Sequence, residues 1–160
     1  MISSKPTAAI FVDVQNIYYT CKEHYKRSFN YRALMERLDA DYDVSIANAY
    51  AIDSNNEGQR KFQTALRSMG FNVKLKPYIT RGDGSAKGDW DVGITIDIMD
   101  AMAQVEHVIL MSGDGDFDCL MRRVNQCEVE THVISVEALT ALSLINSCDH
   151  HIPIVQTMLQ

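Results

Sequence analysis

Short apolar runs separated by stretches of helical period constrain this chain more than any other feature. The runs are AAIFV at 8–12, VSIANAYAI at 44–52, NVKLKPYI at 72–79, HVILMS at 107–112 and THVISV at 131–136, and several are almost unbroken. A strand wetted on one face alternates apolar with polar residues, whereas a continuous apolar run needs cover on both faces. Between the runs, Tyr31, Leu34, Met35 and Leu38 recur at i, i+3, i+4 and i+7; Phe62, Ala65, Leu66 and Met69, and then Phe117, Leu120, Met121 and Val124, repeat that spacing. The segment from Asp91 to Val105 is apolar nearly all round, which predicts a helix buried by both sheet and neighbours. ALTALSLIN at 138–146 predicts one more helix. Strands alternating with helices in this way predict an α/β domain of three layers, α/β/α, with a central, mainly parallel sheet.

The 160 residues suffice for one domain that buries roughly two thirds of its unfolded surface. A composition 46% hydrophobic and 22% charged, with three prolines, excludes a disordered or fibrous chain. Cys21, Cys119, Cys127 and Cys148 form no CxxC pair or zinc spacing and read as reduced, mostly buried thiols. The five histidines, adjacent His150 and His151 included, form no H-x-x-x-H or Cys/His framework and read as packed or solvent-facing. The apolar run near the start is too short for a secretion signal, and no stretch of eighteen apolar residues follows, so a cytoplasmic protein without a membrane anchor is expected. The ending IPIVQTMLQ fits three roles: completing the sheet, covering a helix or meeting another subunit of a homodimer.

The formal charge of −6 excludes a uniformly basic surface, but the charges are segregated. Arg60, Lys61, Arg67, Lys74, Lys76, Arg81 and Lys87 face only Asp83 within their segment. The next segment carries Asp89, Asp91, Asp97, Asp100, Glu106, Asp114, Asp116 and Asp118 with no base. Carboxylates for a cation beside lysines and arginines for phosphates is what a metal-dependent site for a polyanion requires. In a parallel sheet the carboxyl ends of the strands form the functional rim. Asp13 with Asn16 in FVDVQN lies just past one predicted strand, and SGDGDFD at 112–118 lies just past another. Converging aspartates repel one another unless a cation compensates, and an all-oxygen cage suits Mg²⁺ or Mn²⁺ better than zinc.

Each acid also has a structural reading. Asp114 or Asp116 can cap the helix that begins near Phe117, Asp13 and Asn16 can tie a loop, and Asp89 is the best N-cap for the helix beginning GDWDVGITID. Asp97, six residues past Asp91, is offset by about 240° and about 9 Å on a helix. An acid within an apolar helix is costly unless paired, so Asp97 reads either as a site carboxylate or as a salt-bridged or exposed one. RGDGSAKG at 81–88 lacks the ending of a P-loop. It reads as a mobile loop able to close over nucleic acid with Lys87 near a phosphate, or equally as a solvated loop.

FVDVQNIYY (11–19), KGDWDVGITIDIMD (87–100) and SGDGDFDCLMRRV (112–124), in that order, resemble the NYN domains of the PIN-like nuclease superfamily, particularly the LabA-like branch. The resemblance runs over 8–155, leaving 1–7 as an extension and 156–160 as a tail. It implies a Rossmann-like domain around an acidic Mg²⁺ or Mn²⁺ pocket. It implies Asp13 as the first metal-facing acid, Asn16 as its polar neighbour, Asp91 as the second-motif acid with Asp97 as helical companion, and Asp114 and Asp116 as the third pair. Asp118 is an optional addition, and Asp149 matches a late acid whose role here reads as structural. Where many relatives have proline before the leucine, this chain has Asp118-Cys119-Leu120, a departure that touches helix geometry more than metal chemistry. The implied activity is hydrolysis of RNA by metal-activated water. Lys74, Lys76, Arg81 and Lys87 would hold phosphates, and Trp90, Tyr18 or Tyr19 would stack a base of single-stranded or loop RNA. The alternatives are a non-catalytic RNA-binding or regulatory module with a cation pocket, and a phosphohydrolase of small esters.

Overall fold

Six parallel strands form the centre of the computed structural model, which describes residues 5–53, 56–77, 79–80, 86–87 and 89–160, with backbone only at 77, 79, 80, 86 and 87. The chain runs β1 (Thr7–Asp13), α1 (Val14–Tyr25), α2 (Tyr31–Asp41), β2 (Asp43–Asp53), α3 (Glu57–Ser68) and β3 (Asn72–Pro77). A two-stranded antiparallel ribbon, β4 (Ile79–Thr80) and β5 (Ala86–Lys87), stands apart from the main sheet. Then come α4 (Asp91–Ala101), β6 (His107–Met111), α5 (Asp118–Gln126), β7 (Glu130–Ser135), α6 (Leu142–Ser147) and β8 (His150–Pro153).

The strand order is β3-β2-β1-β6-β7-β8, with every neighbour parallel. The chain therefore starts in the middle, works outward to β3, and crosses back to lay β6 against the other side of β1. Alternate residues of β1 feed two cores. Ala8, Ile10 and Val12 join the side chains of α1, α2 and α3 on one face, and Ala9 and Phe11 join those of α4, α5 and α6 on the other. Ile10, Phe11, Ile109, Leu110 and Met111 are shut off from water, each worth roughly 1.5–3 kcal/mol of burial. This is the three-layer α/β/α domain that the apolar runs predict.

The differences have local causes. Helix α1 was not anticipated. Its buried residues, Val14, Ile17 and Cys21, are spaced i, i+3, i+7, but exposed Tyr18 and Tyr19 interrupt the apolar stripe. The expectation for α4 needs correction: Ile94, Ile98 and Ala101 face the core, while Val92 and Ile96 are 69% and 55% exposed, so the helix is covered on one side only. The 138–146 segment divides into a 3-10 turn (Glu137–Leu139) and α6. All four cysteines are free, but Cys119 and Cys127 are exposed, which corrects the expectation of mostly buried thiols. No helix among the described residues is long and apolar enough to cross a membrane.

The end of the chain takes two of the three roles open to it. His150–Pro153 completes the sheet as β8, and the remainder docks between α1 and α2. The Tyr25 hydroxyl donates to the Ile154 carbonyl at 2.7 Å, the Asn30 amide to Met158 at 2.9 Å, and the Gln160 amide to Ser28 at 2.8 Å. Leu159 is buried opposite Phe29.

Candidate active site

The crossover from β3 to β6 leaves a topological switch between β1 and β6, the place where open α/β sheets form a crevice beyond their carboxyl ends. Asp13 is the last residue of β1, and β6 ends one residue before Ser112. The Ser112 hydroxyl donates to Asp13 Oδ2 at 3.1 Å and accepts from the Asp114 amide at 3.2 Å. Asn16, in the first turn of α1, accepts the Gly113 amide at 2.9 Å and so fastens the loop after β6 to the helix after β1. Glycine is needed at 115 because a Cβ there would lie 2.8 Å from that of Ala141.

Helix α4 delivers the third component. Its first residue, Asp91, places a carboxylate oxygen within 4.8 Å of those of Asp114 and Asp116. Asp114 also accepts the Asp116 amide at 2.9 Å and so caps the 3-10 turn Gly115–Phe117; the helix after it, α5, has Phe117 as its N-cap and no side-chain cap, which corrects the capping reading. Burial, with smaller contributions from the charges of Asp114 and Asp89, raises Asp13 to about 6. The Ser112 hydroxyl and the Asn16 amide pull the other way. Asp91 is raised to about 7 by burial, then by its hydrogen bond with Asp114 and the charges of Asp114, Asp89 and Asp13. Carboxyls buried beside one another and raised this far resist ionising unless a cation joins them, and the donor set is all oxygen. Those two observations fit a hard divalent cation.

Asp89 does not cap α4. The N-cap is Trp90, with no side-chain bond, and Asp89 instead lends its charge to Asp13 and Asp91. Asp89 thus belongs to the field of the site rather than to the helix cap, and its position two residues before Asp91 is the signal for that in the sequence.

Asp97, expected as a companion of Asp91, has other partners. Its Oδ2 accepts the Tyr50 hydroxyl and the Lys74 ammonium, each at 2.7 Å. Burial pushes Asp97 up, but the Lys74 and Tyr50 bonds outweigh it and hold the carboxyl below its ordinary value. Lys74, expected on phosphate, is thereby engaged with Asp97. Lys76 donates to the Asp89 carbonyl at 2.9 Å and sits 4.6 Å from the centre of the Trp90 ring. Trp90 itself is half-buried. Its Nε1 donates to the Ala51 carbonyl at 2.8 Å and its ring lies against Tyr50 and over Gly93. Arg81 lies outside the described residues, as does the side chain of Lys87 in β5.

Asp118 accepts its neighbour's Cys119 amide at 2.6 Å and pairs with Arg122 at 3.5 Å. Asp149 exchanges two bonds with Thr131, its carboxylate accepting the Thr131 amide and its own amide meeting the Thr131 hydroxyl. A cleft of about 540 Å³ opens between α1 and α3, with Val14, Gln15, Tyr18, Tyr19, Asn56 and Gln59 in its walls; it begins at the residue after Asp13, and none of the site's acids lines it. Tyr18 and Tyr19 are 47% and 62% exposed and meet edge to face.

Three motif segments distant in sequence thus end at one crevice, and the family model of the NYN domain matches residues 7–155. The chain belongs to the NYN domain family. The Low amplitude and bright protein LabA of Synechococcus elongatus is 27% identical over 152 residues, spanning 90% of this chain and 81% of LabA. A crystal structure of a protein of unknown function from Vibrio parahaemolyticus is 47% identical, covers 100% of both chains and superposes with a TM-score of 0.92. NYN domains are a PIN-like nuclease family, and this NYN domain carries its acidic group at the β1/β6 switch.

Proposed function

We propose that this NYN domain is a ribonuclease that hydrolyses RNA phosphodiester bonds with Mg²⁺ or Mn²⁺ held by Asp13, Asp91, Asp114 and Asp116. The observation that carries the reading is the meeting of the Asp91, Asp114 and Asp116 carboxyls within 4.8 Å of one another, with Asp13 joined to the same loop through Ser112 and with Asp13 and Asp91 raised to about 6 and about 7. When bound, the cation supplies Lewis-acid stabilisation of the phosphoryl charge and makes water a competent nucleophile near neutral pH. Ser112 orients Asp13, and Asn16 holds the 113–116 loop in place, so both are positioning residues. Asp97 acts at a distance by anchoring Lys74 and Tyr50 under α4.

RNA enters along the cleft between α1 and α3. Tyr18 and Tyr19 offer exposed ring faces for stacking an unpaired base, which favours single-stranded or loop RNA over a duplex. Trp90, already packed against Tyr50 and bonded to Ala51, supports the rim. Lys76 uses one of its three N–H groups on Asp89 and keeps the others for a phosphate at the edge of the acidic group. Arg81 and Lys87 extend that basic edge in sequence.

The test is cleavage of single-stranded RNA with Mn²⁺ and with Mg²⁺, beside Asp13→Asn and Asp114→Asn proteins purified identically. Each substitution should lower the rate by about 100-fold or more while leaving RNA binding intact, because metal catalysis is worth several kcal/mol. Metal-dependent RNA binding with no turnover by the wild type would replace the nuclease with a binding module. Turnover of an aryl phosphate but not of RNA would make it a phosphohydrolase.

A further inference from the structure

A second convergence lies at the other end of the strands, about 16 Å from the acidic group at five residues of roughly 3.3 Å each. His107 opens β6 and its register partner Glu130 opens β7, with His132 two residues along β7 on the same face. His107 Nδ1 stands 3.0 Å from His132 Nε2 and 3.1 Å from Glu130 Oε2, and the remaining pair is 4.0 Å apart. Three atoms so spaced share a point about 2 Å from each, the length of a zinc–imidazole or zinc–carboxylate bond. Hydrogen bonding satisfies the trio less well: with a proton on His107 Nδ1 that atom faces two acceptors, and without one it faces Glu130 Oε2 acceptor to acceptor.

The rings are held from outside. Tyr42, which ends α2, packs edge-on against His107 at 5.0 Å and against His132 at 6.2 Å, and His150 of β8 stacks on His132 at 4.8 Å. His150 Nε2 lies 3.6 Å from Glu130 Oε1, the oxygen that the other two histidines leave unused. The two imidazoles are therefore held by packing on neighbouring strands of the central sheet, and the Glu130 carboxylate, 4.0 Å from His132 Nε2, closes by about half an ångström to complete a four-coordinate site. Glu130 is half-exposed, which leaves solvent a way in.

We propose that His107, Glu130 and His132 form a binding site for a transition metal of the zinc class, with water in the fourth position and His150 orienting the carboxylate. Two imidazoles and one carboxylate select zinc, cobalt or nickel over Mg²⁺, so the two ends of the sheet hold different classes of cation. The bound ion ties β6 to β7 and, through His150, to β8, and stabilises the fold by mass action as free metal rises above its dissociation constant.

The test is titration of the full chain with Co²⁺, read as visible absorption. A four-coordinate, nitrogen-containing site gives intense ligand-field bands, whereas an all-oxygen six-coordinate site gives only weak ones. The expected result is intense bands saturating at one ion per chain and displaced by Zn²⁺. Affinity should fall at least tenfold in Glu130→Gln and in His107→Gln and stay unchanged in Asp114→Asn. Zn²⁺ should also raise the melting temperature of the wild type but not of Glu130→Gln. Folding of each variant is checked by circular dichroism, and if one fails to fold the other decides. Weak bands only, intense bands that survive the His107 and Glu130 substitutions, or bands lost in Asp114→Asn would overturn the proposal.

Discussion

Asp13 and Asp91 keep their protons to about 6 and about 7, well above the ordinary aspartate value of 3.8, and that has a measurable consequence. A carboxyl whose folded pKa is raised contributes stability that is fully present below its unfolded value and lost as pH rises through the folded one. The metal-free protein should therefore lose stability from these two groups between about pH 4 and pH 7. His132, pushed down to about 4 by burial and by the charges of His150 and His107, has the opposite sign over an overlapping window. The clean readout is thus the difference between wild type and Asp13→Asn. Melting temperatures measured at pH 5 and pH 8 should show the variant gaining on the wild type at pH 8, and added Mg²⁺ or Mn²⁺ should restore the wild type there.

Asp97 yields a prediction of another kind. Asp97→Asn weakens the acceptor shared by Tyr50 and Lys74 and should cost about 1–3 kcal/mol by denaturant melting. RNA cleavage per folded molecule should stay within about threefold of the wild type; loss as deep as in Asp114→Asn would return Asp97 to the catalytic group. The sequence left this residue ambiguous because its partner is 23 positions away on a strand whose neighbour could not be read. The trio of His107, Glu130 and His132 was hidden for the same reason, since only strand pairing makes residues that distant adjacent.

Among the elements, those whose core-facing residues are uniformly apolar were legible and those with mixed faces were not. β1, β6 and β7 announce themselves through AAIFV, HVILM and HVIS. β8 hides because HHIP offers one isoleucine in four residues, and α1 hides because its two tyrosines are turned to a cleft. The three acidic segments could be read because each follows the end of a buried strand or opens a helix, positions that local pattern reveals. α4 misled because Val92 and Ile96 share its composition with Ile94 and Ile98 but not its burial. The same helix carries a glycine with a specific task. At Gly93 an added Cβ would stand 2.6 Å from Trp90 Cε3, so Gly93→Ala should displace the indole and break its 2.8 Å bond to Ala51. The expected cost is about 1–3 kcal/mol, with Trp90 fluorescence shifted toward the solvated value.

At the scale of the whole molecule, the last residues of the chain fasten the end of α1 to the start of α2. Deleting residues 156–160 removes buried Leu159 and the backbone bonds to Ser28 and Asn30. It should lower stability by about 3 kcal/mol or more and open the cleft wall that Gln160 forms, measured by denaturant melting and by RNA affinity. The sheet order has a consequence for biosynthesis. Asp13 and the Ser112 that orients it are 99 positions apart, joined only after the chain has travelled to one edge of the sheet and returned. A nascent polypeptide still attached to the ribosome, with its first hundred residues exposed, owns Asp13, Asp91 and the strands β1 to β3 but lacks β6 and the loop that carries Ser112, Asp114 and Asp116. The acidic group is therefore completed only late in synthesis, once β6 and the loop behind it have been laid beside β1.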